Sequence, residues 1–240
     1  MTNLLLPRSR LQAPSPHAKG LLRLLYGSWG LSEASGVRGD LSGFGSHLTD
    51  NNTVTGAAGP SGRLPLASQF TRANSESLSI ADNVALRTGN IRFCMCCWVY
   101  QDSQPVGGFT NFMCRWHGGG TNQEEYTLWY GQTANRFNFV VSSDGAGTGE
   151  VNVAANTLGA PSTATWYFLY AEHDSVRDRV RISVNGGALD SAAMANGVFV
   201  SNAAFRIGAA ELTPANFHDG RIAGACFWKY RVLSDAEIAY

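Results

Sequence analysis

The amino-acid sequence predicts an all-β chain folded as a two-sheet antiparallel sandwich, and three observations carry that expectation. Alternating apolar and polar residues recur: Arg179-Val180-Arg181-Ile182-Ser183-Val184 alternates strictly, and Arg136-Phe137-Asn138-Phe139-Val140-Val141 nearly so. Gly and Asn clusters punctuate such runs at short intervals, as in a sandwich. Charged residues make up only 15% of the chain and Gly contributes 27 residues, a composition suited to strands and turns rather than helices.

The elements follow in order. From Tyr26 the pattern is β. Ile91 to Tyr100 (IRFCMCCWVY) is apolar on both faces beyond Arg92, which predicts a central strand covered on both sides. Phe109 to Trp116, Tyr126 to Tyr130 (YTLWY), Thr165 to Tyr170 (TWYFLY) and Gly224 to Tyr230 (GACFWKY) are further aromatic strands. Asn185-Gly186 marks a tight turn, because both residues adopt positive φ readily. Gly118-Gly119-Gly120 and Gly145 to Gly149 are loops. Ser234-Asp235-Ala236-Glu237 forms a capping box that opens a short C-terminal helix.

Residues 1–25 differ from the remainder. They carry Pro7, Pro14 and Pro16 with Arg8, Arg10, Lys19 and Arg23, and the first acid is Glu33. Proline fixes φ and removes donors, so an extended basic arm is expected, suited to lying on a neighbouring subunit. Residues 26–240 form the sandwich, long enough to fold without a disulfide or metal. Leu4-Leu5-Leu6 is too short for an export signal, and Pro7 and Arg8 follow at once, so synthesis in the cytoplasm is expected. No run approaches the roughly 20 apolar residues of a membrane span. Lys plus Arg equals Asp plus Glu, 18 against 18, which gives no global field for nucleic acid and little colloidal repulsion.

The five cysteines are Cys94, Cys96, Cys97, Cys114 and Cys226. An odd count excludes full internal pairing, and neighbours within one strand do not bridge easily. Reduced, buried thiols are expected. Cys94-x-Cys96-Cys97 lacks the spacing of a zinc knuckle and has no histidine pair beside it.

In their order and spacing, several short motifs resemble one known family. They begin with Trp29-Gly30-Leu31 through Ser35-Gly36, then Asp40, Ser42-Gly43 and Leu48-Thr49. Phe70 and Ser75 to Ile80 follow, then Cys97-Trp98-Val99 and Trp166-Tyr167. Ile182, Val184, Asn185 and Gly186 make a "V-N-G" hairpin; Phe217, Gly220, Arg221 and Ile222 come next, and Leu233-Ser234 with Glu237-Ile238 close the set. Together they resemble the laminin-G-like modules of the concanavalin A-like lectin/glucanase superfamily, from about Tyr26 to Tyr240. Ala223 departs from the family's usual Asp, and Tyr240 falls inside the closing helix, where relatives continue. The resemblance implies a jelly-roll β-sandwich with ligand sites on loops or on the concave face. Its members include lectins, glucanases, adhesion modules and bacteriophage structural proteins, and fold alone does not choose among them.

No catalytic residues are expected. Glucanases of this superfamily set acids on one strand face, about 5.5 Å apart. The nearest approach is Glu172-His173-Asp174, which lacks the last acid and is expected to be a polar turn. Glu124 and Glu125 are adjacent, face opposite ways and need a third group to cooperate. No nucleophile elbow or phosphate loop is present, and the five histidines are scattered. Asp50, Asp82 and Asp219 lie in oxygen-rich loops, the candidates if calcium binds; no other cofactor is expected. Trp116 with His117, and Trp129 with Tyr130, are the candidates for stacking on a sugar.

These features lead to two functions. The first is a non-catalytic virion structural protein of a bacteriophage, either capsid decoration, head fibre or tail component. It would use the sandwich as a binding scaffold, with virion proteins and further copies of itself as partners and the virion as its location. The second is a carbohydrate-binding module or lectin, with calcium as an optional aid. Neither takes nucleic acid or membrane as a partner.

Overall fold

A computed structural model describes residues 20–105, 108–118, 122–211 and 215–238. The arm residues Pro7, Arg8, Arg10, Pro14, Pro16 and Lys19 lie outside the described residues. The expected two-sheet antiparallel sandwich is the observed fold, with its short terminal helix α1 at Asp235–Ile238. Among the described residues no helix is long and apolar enough to cross a membrane.

The first sheet centres on β6 (Phe93–Gln101), the apolar run expected to be central. On one side lie β11 (Trp166–Asp174), β12 (Arg179–Val184) and β13 (Asp190–Ala193). On the other lies β15 (Gly220–Lys229), followed by β4 (Leu64–Phe70) and β3 (Thr55–Ser61). β1 (Leu25–Trp29) also pairs with β15, beyond the stretch that β4 occupies. The second sheet runs β10 (Glu150–Ala154), β9 (Arg136–Ser142), β8 (Tyr126–Gly131), β7 (Phe109–Arg115), β14 (Phe205–Ile207), β5 (Ser77–Ile80) and β2 (Thr49–Asn51). Every named pairing is antiparallel.

Side chains from both sheets interdigitate between them. Phe93, Met95, Cys97 and Val99 of β6 meet Tyr126, Leu128, Phe137 and Phe139 of the opposite sheet, all fully buried. Phe93 stacks on Phe227 at 5.9 Å between ring centroids, and Tyr126 stacks on Phe227 at 5.4 Å. Rings packed this way add to the energy of area burial. The Asn185-Gly186 turn forms as expected, with φ of 54° and 68° and Gly187 N donating to Val184 O at 3.0 Å.

One expectation is corrected. Glu172-His173-Asp174 is not a turn but the end of β11, and all three residues are buried. They pair with Arg181, Val180 and Arg179 of β12. Arginines neutralise both acids: Arg181 Nε donates to Glu172 at 2.6 Å, and Arg177 Nη1 to Asp174 at 2.9 Å. The turn follows at residues 175–178, where Asp178 takes φ 49°.

A buried ion pair joins Glu125 and Arg115. Glu125 accepts from Arg115 Nε at 2.9 Å, Ser201 Oγ at 2.8 Å and Thr88 Oγ1 at 2.7 Å, and both charged side chains are fully buried. Arg115 also donates to Asp82 at 2.9 Å and to Ser201 O at 2.8 Å, which ties the β7–β8 end to the segment before β14. Removing one partner of a buried ion pair strands the other charge. Glu125→Ala is therefore expected to cost about 3–5 kcal/mol in denaturant unfolding, and a double-mutant cycle with Arg115→Met to show strong coupling.

Candidate functional site

A concave feature lies on the outer face of the first sheet, opposite the core. β6 sends Met95 and Cys97 inward, so Cys94, Cys96, Trp98 and Tyr100 point outward. Their partners on β11 share that face: Trp98 stands opposite Phe168 and Tyr100 opposite Trp166. The two ring pairs each lie 5.4 Å apart, and the Arg221 guanidinium sits 4.6 Å above the Tyr100 ring. Trp98, Trp166 and Phe168 are only half-buried.

The ends of the described chain build a wall over this floor. Trp228 Nε1 donates to Leu21 O at 2.7 Å, and Arg231 Nη1 to Gly20 O at 2.7 Å. Arg231 also grips Glu237 at 2.6 and 2.7 Å. Glu237 closes the expected capping box, accepting from Ser234 N and Oγ at 3.0 Å. Tyr170 Oη accepts from Leu233 N at 3.0 Å and donates to Glu172 at 2.5 Å, so the buried acid of β11 anchors the C-terminal segment. Between wall and floor lies a groove of about 740 Å³ lined chiefly by apolar side chains, including Leu21, Leu25, Trp98, Phe168, Trp228 and Ile238.

The sequence-predicted sugar candidates stand elsewhere and apart from one another. Trp129 lies half-buried on the outer face of the second sheet, its ring edge-on to Phe109 at 5.4 Å. Tyr130 points the other way into the core, and its hydroxyl donates to Asn135 Oδ1 at 2.9 Å. Trp116 and His117 follow the far end of β7, beyond Arg115, whereas Trp129 is opposite Asn111. The calcium candidates are likewise separate. Asp50 accepts from Val54 N at 2.8 Å and Gly36 N at 2.9 Å. Hydrogen bonds from Arg87 and Arg115 hold Asp82 at about 2. Asp219 accepts from Ser103 Oγ at 2.5 Å. Among the described residues no group of three or more His, Cys, Asp or Glu is arranged to hold a metal ion.

The third group that Glu124 needs comes from the first residue of β10 rather than from Glu125. Glu125 turns to Arg115, while Glu124 meets Glu150 at the start of β10. Burial and the Glu150 charge push Glu124 up to about 7. Sequence spacing could not reveal this contact, because the two acids meet through the β8–β9–β10 pairing.

A family model described as the concanavalin A-like lectin/glucanases superfamily, of laminin G type, matches residues 72–239. The chain belongs to that superfamily. Comparison with curated protein sequences finds no match. Among solved structures the chain is similar to the binding domain of Paraclostridial Mosquitocidal Protein 1, with a TM-score of 0.69 and 14% identity over 91% of this chain and 52% of that one. It is also similar to domain 4 of AbnA, a GH43 extracellular arabinanase from Geobacillus stearothermophilus, in complex with arabinotriose. That TM-score is 0.61, with 15% identity over 90% of this chain and 96% of the domain. The binding domain of Botulinum Neurotoxin DC in complex with SialylT gives a TM-score of 0.63 at 12% identity, over 91% of this chain and 51% of that one. The chain thus spans about half the length of the toxin binding domains it matches. At these identities the likeness is one of fold alone, a two-sheet β-sandwich.

Two buried groups give the stability a pH dependence of opposite signs. His218 is enclosed between Phe70 and Phe112, and burial lowers it from 6.5 to about 4. The unfolded chain therefore binds the extra proton first, and stability falls as pH drops from 6.5 towards 4, by on the order of 3 kcal/mol in full. Glu124 is raised from 4.5 to about 7, so the folded chain holds its proton longer and stability falls as pH rises through that window. The two slopes oppose each other between pH 4.5 and 6.5, so in unfolding free energies measured from pH 4 to 8 His218→Gln is expected to steepen the loss of stability with rising pH, and Glu124→Gln to steepen the loss with falling pH.

Proposed function

We propose that the chain is a non-catalytic binding and scaffolding module, a structural protein of a bacteriophage virion, that docks an apolar segment of a partner protein in the groove of its eight-stranded sheet. The observation that carries this reading is the groove itself. Soluble chains seldom leave a contiguous apolar surface uncovered unless it is an interaction site. Here Trp98, Trp166 and Phe168 floor it, and Leu22 on its rim is 62% exposed. Aromatic anchors in a shaped depression supply most of the energy in protein interfaces.

Three further features favour a non-catalytic role within an assembly. Glu172 and Asp174, the nearest match to a glucanase acid set, are each bonded to an arginine. The balance of 18 basic and 18 acidic residues gives little mutual repulsion between copies. The basic, proline-containing stretch of residues 1–19 suits a tether between subunits, with other virion or capsid proteins and further copies of the chain as partners.

Carbohydrate binding is the second reading, and one observation favours it. The Trp98–Phe168 and Tyr100–Trp166 pairs, with Arg221 beside them, form a row of rings and polar groups of the kind on which sugars stack. Trp116 with His117, and Trp129, are further glycan candidates, with calcium held by Asp50, Asp82 or Asp219 as an optional aid.

The first reading predicts that the chain co-sediments with phage particles, and that Trp98→Ala weakens this association at least tenfold, about 1.4 kcal/mol or more. Recovery of the native protein only as a free monomer from uninfected cells would sink the virion reading. A glycan array, run with and without calcium, tests the second. Signal lost in Trp98→Ala but kept in Trp129→Ala places sugar in the same groove, and the converse places it on the second sheet.

A further inference from the structure

The floor of the groove holds two thiols that no feature of the proposed binding role uses. Cys96 of β6 and Cys226 of β15 stand directly opposite each other in an antiparallel pair, just past the bulge between Ala223 and Cys226. Both line the groove, Cys96 at 7% exposure and Cys226 half-buried. Directly opposed residues of an antiparallel pair have Cα atoms about 4.5–5.5 Å apart and share a face, within the span of about 4.4–6.8 Å that a disulfide accepts. The other thiols are not so placed. Cys94 is opposite Trp228, Cys97 points into the core, and Cys114 belongs to the second sheet. Cys94 and Cys96 are two residues apart along one strand, a separation of about 6.6 Å with parallel side chains.

We propose that Cys96 and Cys226 form a redox-modification site, closing to a cross-strand disulfide when the groove meets a small disulfide oxidant such as oxidised glutathione. The groove is open and large enough to admit such a molecule, and Cys226 is the more accessible thiol. Its neighbours Cys96 and Ser28, the latter with Oγ 3.7 Å from its sulfur, lower its pKa and favour the thiolate. The Cys226 thiolate attacks one sulfur of oxidised glutathione, forming a mixed disulfide and expelling a glutathione thiolate. Cys96 then loses its proton and attacks the Cys226 sulfur, expelling the second. Two cysteine thiols are oxidised, one glutathione disulfide is reduced to two thiols, and the two protons leave with them. The bond fixes β6 to β15 at the groove floor and removes both S–H donors from it.

The folded full chain is incubated with oxidised glutathione, quenched in acid, denatured and alkylated, and its intact mass is read. The expected result is the loss of two of the five alkylatable thiols and of two hydrogens, with a peptide map joining the Cys96 and Cys226 segments and reversal by dithiothreitol. Cys96→Ser lacks the resolving thiol and is expected to retain one glutathione on Cys226. Cys114→Ser is expected to oxidise like the natural chain. Five thiols recovered from the folded protein, a stable glutathione adduct on the unsubstituted chain, or a link between any other pair would each overturn the proposal. Because the result is read on the unsubstituted chain, it does not depend on the variants folding, nor on what the groove binds.

Discussion

The pairing of β6 with β15 is the constraint on which the remaining structure depends. Both strands carry apolar residues on both faces, so each must satisfy two environments at once. Inward, Phe93 and Phe227 stack within the first sheet, and Phe227 stacks on Tyr126 of the opposite sheet. Outward, Cys94 and Cys96 pack with Trp228 against Tyr170, Leu233 and Ile238. The bulge between Ala223 and Cys226 lets both patterns coexist. Gly224 sits in it at φ 56°, where a side chain would be strained. The bulge changes the residue count on β15, so Ile222 and Phe227 both face the core although five positions separate them. It also divides β15 between two partners on one side, β4 before it and β1 after it.

The groove follows from that division. Because β1 joins the sheet only beyond the bulge, the turn at Gly20–Leu24 is carried over the outer face beside the C-terminal segment. Arg231 and Trp228 then fasten the two chain ends together by hydrogen bonds to Gly20 O and Leu21 O. The buried acid Glu172 completes the arrangement through Tyr170, which holds Leu233. A polar chain from Arg181 through Glu172 and Tyr170 to Leu233 thus positions an apolar wall. Buried polar groups of this kind specify geometry when every member has a partner.

The elements with strong local signals were legible in the sequence. The two-faced apolar run at Ile91 to Tyr100 is the central strand, the alternation of residues 179–184 is β12, and the Asn185-Gly186 and Ser234-to-Glu237 motifs form the turn and helix start they predict. Glu172-His173-Asp174 was not legible, because polar residues at a strand end look like a turn until their arginine partners are known. The groove was hidden for a related reason. Trp98, Phe168 and Trp166 are the outward half of runs that are apolar on both faces, and periodicity cannot say which half is covered. Trp129 and Tyr130 were legible as aromatics on one strand, but alternation sends them to opposite faces. The Glu124–Glu150 and Cys96–Cys226 contacts join residues 26 and 130 positions apart, and register alone brings them together.

The central claim is that the outer face of the eight-stranded sheet is the binding surface. Hydroxyl-radical footprinting tests it most directly, comparing the purified chain with the same chain in its native particle. Trp98, Trp166 and Phe168 should be oxidised in the isolated chain and strongly protected in the particle, while Trp116 and Trp129 react alike in both. Equal oxidation of the groove residues in both states, with protection at Trp116 or Trp129 instead, would contradict the account and move the binding surface to the second sheet.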